Sequence, residues 1–105
     1  MTIKDNLEIA NTIRNQIDSR ILMCAGAHDF RAGNKSLFFT IQNTSLYRKA
    51  IVVIELNYSD TYNIKLMKPK TYEELQKVKG IYADELSYTL EGLWENKETL
   101  KAWSR

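Results

Sequence analysis

The chain has little of the chemistry that small enzymes and metalloproteins use. Among its 105 residues there are one cysteine, one histidine and one proline. A single cysteine cannot form an internal disulfide, and one cysteine with one histidine cannot supply the ligands of a structural zinc site. The phosphate-cradling patterns G-x-G-x-x-G and G-x-x-x-x-G-K-[ST] are also missing. The sequence therefore predicts no metal, no cofactor and no enzymatic activity.

Long apolar segments are missing as well. No hydrophobic run approaches the roughly 18–20 residues that a bilayer span needs. Residues 1–10 are polar where a signal peptide would have an apolar segment. With the lone cysteine, these features predict a cytoplasmic protein that does not enter membranes. At 44% hydrophobic residues the chain is too apolar for disorder, and its length predicts one domain over residues 1–105.

Cys24 and His28 are the one pair that could supply a nucleophile and its base, with Asp29 as an orienting group. No nucleophile-elbow pattern surrounds them. We therefore interpret Cys24 as a small buried hydrophobic residue and His28 as a loop residue. Adjacent carboxylates such as Glu73 and Glu74 are interpreted as solvated surface rather than as an acid–base pair.

Hydrophobic periodicity predicts that the N-terminal part begins with a helix over about residues 3–20. Isoleucines recur every four positions from Ile9 to Ile17, which is typical of an amphipathic helix. The apolar run 21–26 is short for a helix, so we expect a buried strand there. A turn-rich connection is expected over 27–35.

The remaining sequence predicts strands followed by helices. Strands are expected where β-branched or alternating apolar residues dominate: 36–42, 50–56 and 61–67. Helices are expected where the capping residues Thr71 and Asn96 or a helical apolar spacing follow Pro69: 71–78, 81–93 and 96–103. Short connections make neighbouring strands antiparallel. The predicted fold class is α+β, with a three- to four-stranded antiparallel sheet and C-terminal helices packed on one face.

Charge is distributed unevenly along the chain. Residues 14–49 hold six basic and two acidic side chains, whereas residues 71–105 hold seven acidic and five basic ones. The basic stretch has Phe30, Phe38 and Tyr47 nearby, so it is a candidate for contacts to phosphates and stacked bases. The enrichment is mild for a nucleic-acid-binding domain, and we expect weak binding. The candidate nucleic-acid-binding residues are Arg31, Lys35, Arg48 and Lys49.

The acidic C-terminal part is the candidate protein-binding region. Its acidic side chains cannot share the apolar side of a helix, so several must project outward as a negative surface. Tryptophan is common in binding hot spots, although it also anchors terminal helices to sheets. The candidate partner-binding residues are Asp84, Glu85, Glu91, Trp94 and Trp103.

Several segments resemble a family of small uncharacterised proteins from bacterial phages and mobile elements, whose members carry the patterns IANTIL, MTGAK, DTY and VYADQL. The matching segments here are IANTI (9–13), LMCAGAHDF (22–30), DTY (60–62) and YADEL (82–86). The resemblance extends to about residue 93 and leaves 94–105 as a C-terminal extension.

This resemblance implies a mobile-element setting, in which small compact proteins often neutralise host defences. Some anti-CRISPR proteins have this size and likewise have no catalytic residues, an analogy of context rather than of a site. The expected function is therefore a non-enzymatic binding protein that inhibits a host defence nuclease, and a homodimer is compatible with it. The alternative is a nucleic-acid-binding accessory protein that uses residues 14–49.

Overall fold

The structure, a computed structural model, describes residues 3–42, 44, 46–57 and 59–95. A five-stranded antiparallel sheet forms one layer and helices form the other, so the predicted α+β class is confirmed, with five strands rather than three to four. The strands lie in chain order, and the elements are α1 (Ile3–Gln16), α2 (Ser19–Cys24), β1 (His28–Gly33), β2 (Ser36–Gln42), β3 (Lys49–Leu56), β4 (Tyr62–Met67), β5 (Glu74–Ile81), a 3-10 helix (Ala83–Glu85) and α3 (Leu86–Trp94).

The predicted N-terminal helix is confirmed as α1, which ends at Gln16 rather than near residue 20, whereas the strand predicted over 21–26 is wrong, because a second helix, α2, occupies that segment. Asp18 separates the two helices, because its side chain caps α2 by accepting a hydrogen bond from the Arg20 backbone N–H. Side-chain hydrogen bonds from Arg20 also lower the pKa of Asp18 below its ordinary value of 3.8. The apolar run is amphipathic within α2: Leu22 is buried, while Met23 is 79% exposed.

Gly26 ends α2 and turns the chain into the sheet. Its N–H donates to the Met23 carbonyl and the Ala27 N–H to the Leu22 carbonyl, the pair of bonds that defines a Schellman motif. The backbone φ of Gly26 is +62°, and a Cβ there would lie 2.9 Å from Gln42 Cγ. Only glycine fits this turn without strain.

Two strands, β1 and β5, lie in segments for which the sequence predicts no strand. β1 replaces the turn-rich connection over 27–35, whose polar, mostly exposed residues gave no strand signal. β5 replaces the helix predicted over 71–78, because Leu75, Val78 and Ile81 pack against the core and the backbone pairs with β4. These tertiary contacts override the local preference of the segment for helix. The strands predicted over 36–42, 50–56 and 61–67 correspond to β2, β3 and β4.

The helix predicted over 81–93 is confirmed from residue 86 onward, where it corresponds to α3. A 3-10 helix precedes α3, and Ile81 belongs to β5 instead of the helix. Leu86, Leu90 and Leu93 of α3 face the sheet and are buried, as the helical spacing predicts. The helix predicted over 96–103 lies outside the described residues.

The core lies between the helices and one face of the sheet. Phe39 of β2 is at its centre, with its ring 5.2 Å from that of Phe30 and 6.4 Å from that of Trp94. All three described α-helices contribute to this one cluster. The sheet therefore has a helix-covered face and a second face on which none of the described helices packs.

Candidate functional site

The catalytic pair considered for Cys24 and His28 is not assembled. Cys24 is exposed at the end of α2, so the prediction that it is buried is wrong: the helical turn directs Leu22 inward instead. His28 begins β1 rather than lying in a loop, and its Nδ1 is 2.8 Å from the Gly26 carbonyl oxygen. Asp29 pairs with Arg31 at 3.7 Å. His28 and Asp29, the two potential partners of the Cys24 thiol, therefore contact other groups instead.

Within residues 3–95, apart from the gaps at 43, 45 and 58, no three His, Cys, Asp or Glu side chains cluster closely enough to hold a metal ion. Over the same residues, no helix is long and apolar enough to cross a bilayer.

The structure separates the four predicted nucleic-acid-binding residues. Arg31 in β1 and Lys49 in β3 line one hollow of about 430 Å³ on the sheet face away from the helices. Lys35 lies in the β1–β2 turn, where its backbone N–H donates to the Asn6 side chain, and it lines a different hollow. Arg48 is exposed just before β3. Only Arg31 and Lys49 are thus brought together.

Of the three aromatic residues near the basic stretch, only Phe38 lies in this hollow. Phe30 packs on the helix side, where the Arg14 guanidinium carbon is 3.9 Å from its ring centroid. Tyr47 also contacts the core, and its hydroxyl accepts a hydrogen bond from Gln76. Tyr72, outside the predicted stretch, joins Phe38 at the rim of the hollow.

A continuous row of side chains crosses the sheet on the face away from the helices. Cross-strand register places one residue from each strand in this row: Arg31, Phe38, Val53, Lys65 and Lys77. None of the five belongs to the core cluster, as the alternation of side chains along a strand requires. Four strand spacings make the row about 19 Å long. We call this surface the open face and define it by the row and its neighbours Lys49, Ile51, Glu55, Met67 and Lys79.

The open face is apolar at its centre and basic around it. Val53 is only 8% exposed although it lies outside the core cluster, because neighbouring side chains cover it. Five basic side chains and two acidic ones, Asp29 and Glu55, line its two hollows. Asp29 already pairs with Arg31, whereas none of the four lysines is in an ion pair with a described residue.

The predicted acidic residues form a second surface on the outer side of the helical layer. Asp84 and Glu85 are exposed in the 3-10 helix, and Glu91 is partly exposed in α3. Asp84, Tyr88 and Glu91 follow one another at spacings of four and three residues, so they share the outward side. Tyr88 is 78% exposed. We call these four residues the acidic surface.

Hydrogen bonding fixes the position of the acidic surface relative to the N-terminal helices. The backbone N–H of Asp18, at the junction of α1 and α2, donates to Ser87 Oγ at 2.8 Å. This bond joins the junction to the first turn of α3, and Glu91 lies beside Arg20 in a shallow hollow. The acidic surface therefore belongs to a fixed helical layer.

The two predicted tryptophans differ from the acidic residues. Trp94 is 1% exposed and packs edge-on against Phe39, so its side chain anchors α3 to the sheet and cannot reach a partner in this structure. Its position therefore supports the role of a buried anchor rather than that of a binding hot spot. Trp103 lies outside the described residues.

Sequence reasoning missed the lysines of β4 and β5. Lys65 could have been found, because the alternation in 61–67 places it on the polar side of a strand. Lys77 could not, because its segment was predicted as a helix. No protein-family model, curated protein or solved structure matches this chain. The resemblance to phage proteins therefore stays a prediction.

Proposed function

We propose that this chain is a small non-enzymatic binding protein of phage or mobile-element type that inhibits a host defence nuclease. In this proposal the acidic surface docks into a basic groove of the nuclease and blocks access of its nucleic-acid substrate. The observation that carries the proposal is that Asp84, Glu85, Glu91 and the exposed ring of Tyr88 occur within eight residues and are all at least partly exposed. The phage setting comes from the sequence resemblance.

Charge and aromatic character support this choice of surface. A nuclease binds a polyanion, so its groove is basic and attracts a surface of clustered carboxylates. Tyrosine is enriched among residues that dominate binding energy, and Tyr88 presents its ring and hydroxyl to solvent. The leucines of α3 face the core, so a partner can contact the outer side without disturbing the fold.

The test begins with affinity purification of the intact chain from its host. We expect a nuclease to be recovered in stoichiometric amount and its cleavage of DNA or RNA to be inhibited by the purified chain. Tyr88→Ala should weaken the complex about 30-fold, the loss typical of a hot-spot residue. Recovery of nucleic acid without a nuclease would contradict the proposal.

A charge-reversal variant tests the electrostatic part. Asp84→Lys/Glu85→Lys/Glu91→Lys should slow association strongly at low salt, and less at high salt, because long-range attraction is screened. The matched control reverses three exposed acids elsewhere: Glu8, Glu73 and Glu74. Both variants gain the same charge, so equal inhibition by the two would show that the acidic surface is not the contact.

A further inference from the structure

The open face combines features that the proposed function does not use. It lies on the opposite side of the sheet from α3, and its basic residues come from four different strands: Arg31, Lys49, Lys65 and Lys77. Three of its lysines follow residue 60, so it differs from the predicted basic stretch over 14–49. Its centre forms two hollows of about 430 and 190 Å³.

The lysines on this face repel one another in the free protein. Lys65 and Lys77 are directly opposite across β4 and β5. Like charges in this position destabilise a sheet, and no described acid pairs with either lysine. A bound anion would relieve this repulsion.

The apolar centre limits what kind of anion fits. Phe38, Ile51 and Val53 lie between the basic side chains, at neighbouring positions of β2 and β3. A double helix stacks the ring faces of its bases inside, so it offers this flat surface phosphates and sugars but no ring face to lie on the apolar side chains. A single strand offers bases to an apolar or aromatic surface and phosphates to surrounding lysines. A second copy of this chain would bring like charges together.

We propose that the open face binds single-stranded nucleic acid. The bases lie on the apolar strip of Phe38, Ile51, Val53 and Met67, chiefly on the three partly exposed side chains because Val53 is covered, and the phosphates lie against Arg31 and the lysines around that strip. The nucleic-acid strand crosses the five β-strands along the row from Arg31 to Lys77. This site is independent of the acidic surface.

The experiment is a fluorescence-anisotropy titration of the intact chain with labelled oligo(dT) of about twelve nucleotides. With all five basic side chains engaged, the logarithm of affinity should fall against the logarithm of salt with a slope of about −3.5. Lys65→Gln/Lys77→Gln should reduce that slope by about 1.4. Phe38→Leu should weaken binding about tenfold and leave the slope unchanged, since it removes stacking and no charge.

The matched control is Arg14→Gln/Arg20→Gln, which removes two exposed charges from the helical layer. It should leave the salt slope unchanged, and melting curves check that each variant is folded. The proposal is overturned if the lysine and arginine variants change the slope equally, if a duplex of equal length binds as tightly, or if no binding is seen at low salt. A dimer that dissociates in Ile51→Glu and binds no oligonucleotide would assign the face to a second copy.

Discussion

The two faces of the sheet are made by the same strands and have opposite properties. Along β3, Val52 and Ile54 are fully buried under the helices, whereas Ile51 and Val53 alternate with them on the open face. The covered side is a continuous apolar core that includes Phe39 and Trp94. The open side has an apolar strip bordered by lysines. The comparison shows that one strand can fill the core with one set of side chains and border solvent with the other.

Truncating a side chain on the covered face should destabilise the protein more than any other change considered below. Ile54→Ala removes a side chain with no exposure and should destabilise the protein by about 2–5 kcal/mol, because it leaves a cavity under the helices. Ile51→Ala makes the same chemical change on the open face, where the side chain is only partly buried. We expect it to cost about 1 kcal/mol. Urea denaturation measures both, and equal losses would show that the open face is covered in solution.

The covered face was the more predictable of the two from sequence. The spacing of Leu86, Leu90 and Leu93 gave α3, and the alternation in 61–67 gave β4. Both signals come from side chains that must reach one core. Both missed strands pack only partly: β1 is mostly exposed, and β5 has only partly buried apolar residues, so its local helix preference was the stronger signal. The exception on the covered side is the run over 21–26, which was predicted as a strand although it belongs to α2 and buries Leu22.

The open face was harder to predict for a physical reason. Its residues are joined by register across five strands, and Arg31 and Lys77 are 46 positions apart in the chain. Register could not be derived once β1 was predicted as a connection and β5 as a helix. By contrast, the acidic surface lies within one short stretch, so its outward direction followed from helical spacing alone.

A middle-sized effect concerns Tyr62, which brings a polar hydroxyl to the covered face. Its ring is buried and its hydroxyl donates a hydrogen bond to Gln16 Oε1 of α1. Tyr62→Phe removes this bond and should cost about 1 kcal/mol at neutral pH. Gln16 is exposed and can bind water instead, which keeps the loss small. Thermal or urea denaturation at pH 7 measures the difference.

The cost of Tyr62→Phe should depend on pH in a defined direction. Burial raises the pKa of the Tyr62 hydroxyl above its ordinary value of 10.0, and the bond to Gln16 only partly offsets this. The contribution of Tyr62 is therefore fully present below pH 10.0 and is lost as the pH rises through the folded-state pKa. Every other titrating group is the same in the wild type and the variant, so the pH dependence of the difference in their stability reports on Tyr62. A difference that grew at alkaline pH would contradict burial as the cause.

A charge reversal on the open face should change the stability only slightly. Lys77→Glu places an acid directly opposite Lys65 and replaces repulsion with attraction. We expect a stabilisation of about 0.5 kcal/mol at low salt, which shrinks at high salt because the pair is screened. Lys79→Glu is the matched control, since it makes the same charge change on β5 without facing a paired residue across β4. Urea denaturation at two salt concentrations distinguishes the effects of the two variants.

If Lys77→Glu stabilises the free protein and also abolishes oligo(dT) binding, the lysine is retained for binding at the expense of stability. Equal stabilisation by the two variants would instead indicate a general charge effect, and a loss of stability would show that Lys65 and Lys77 do not repel.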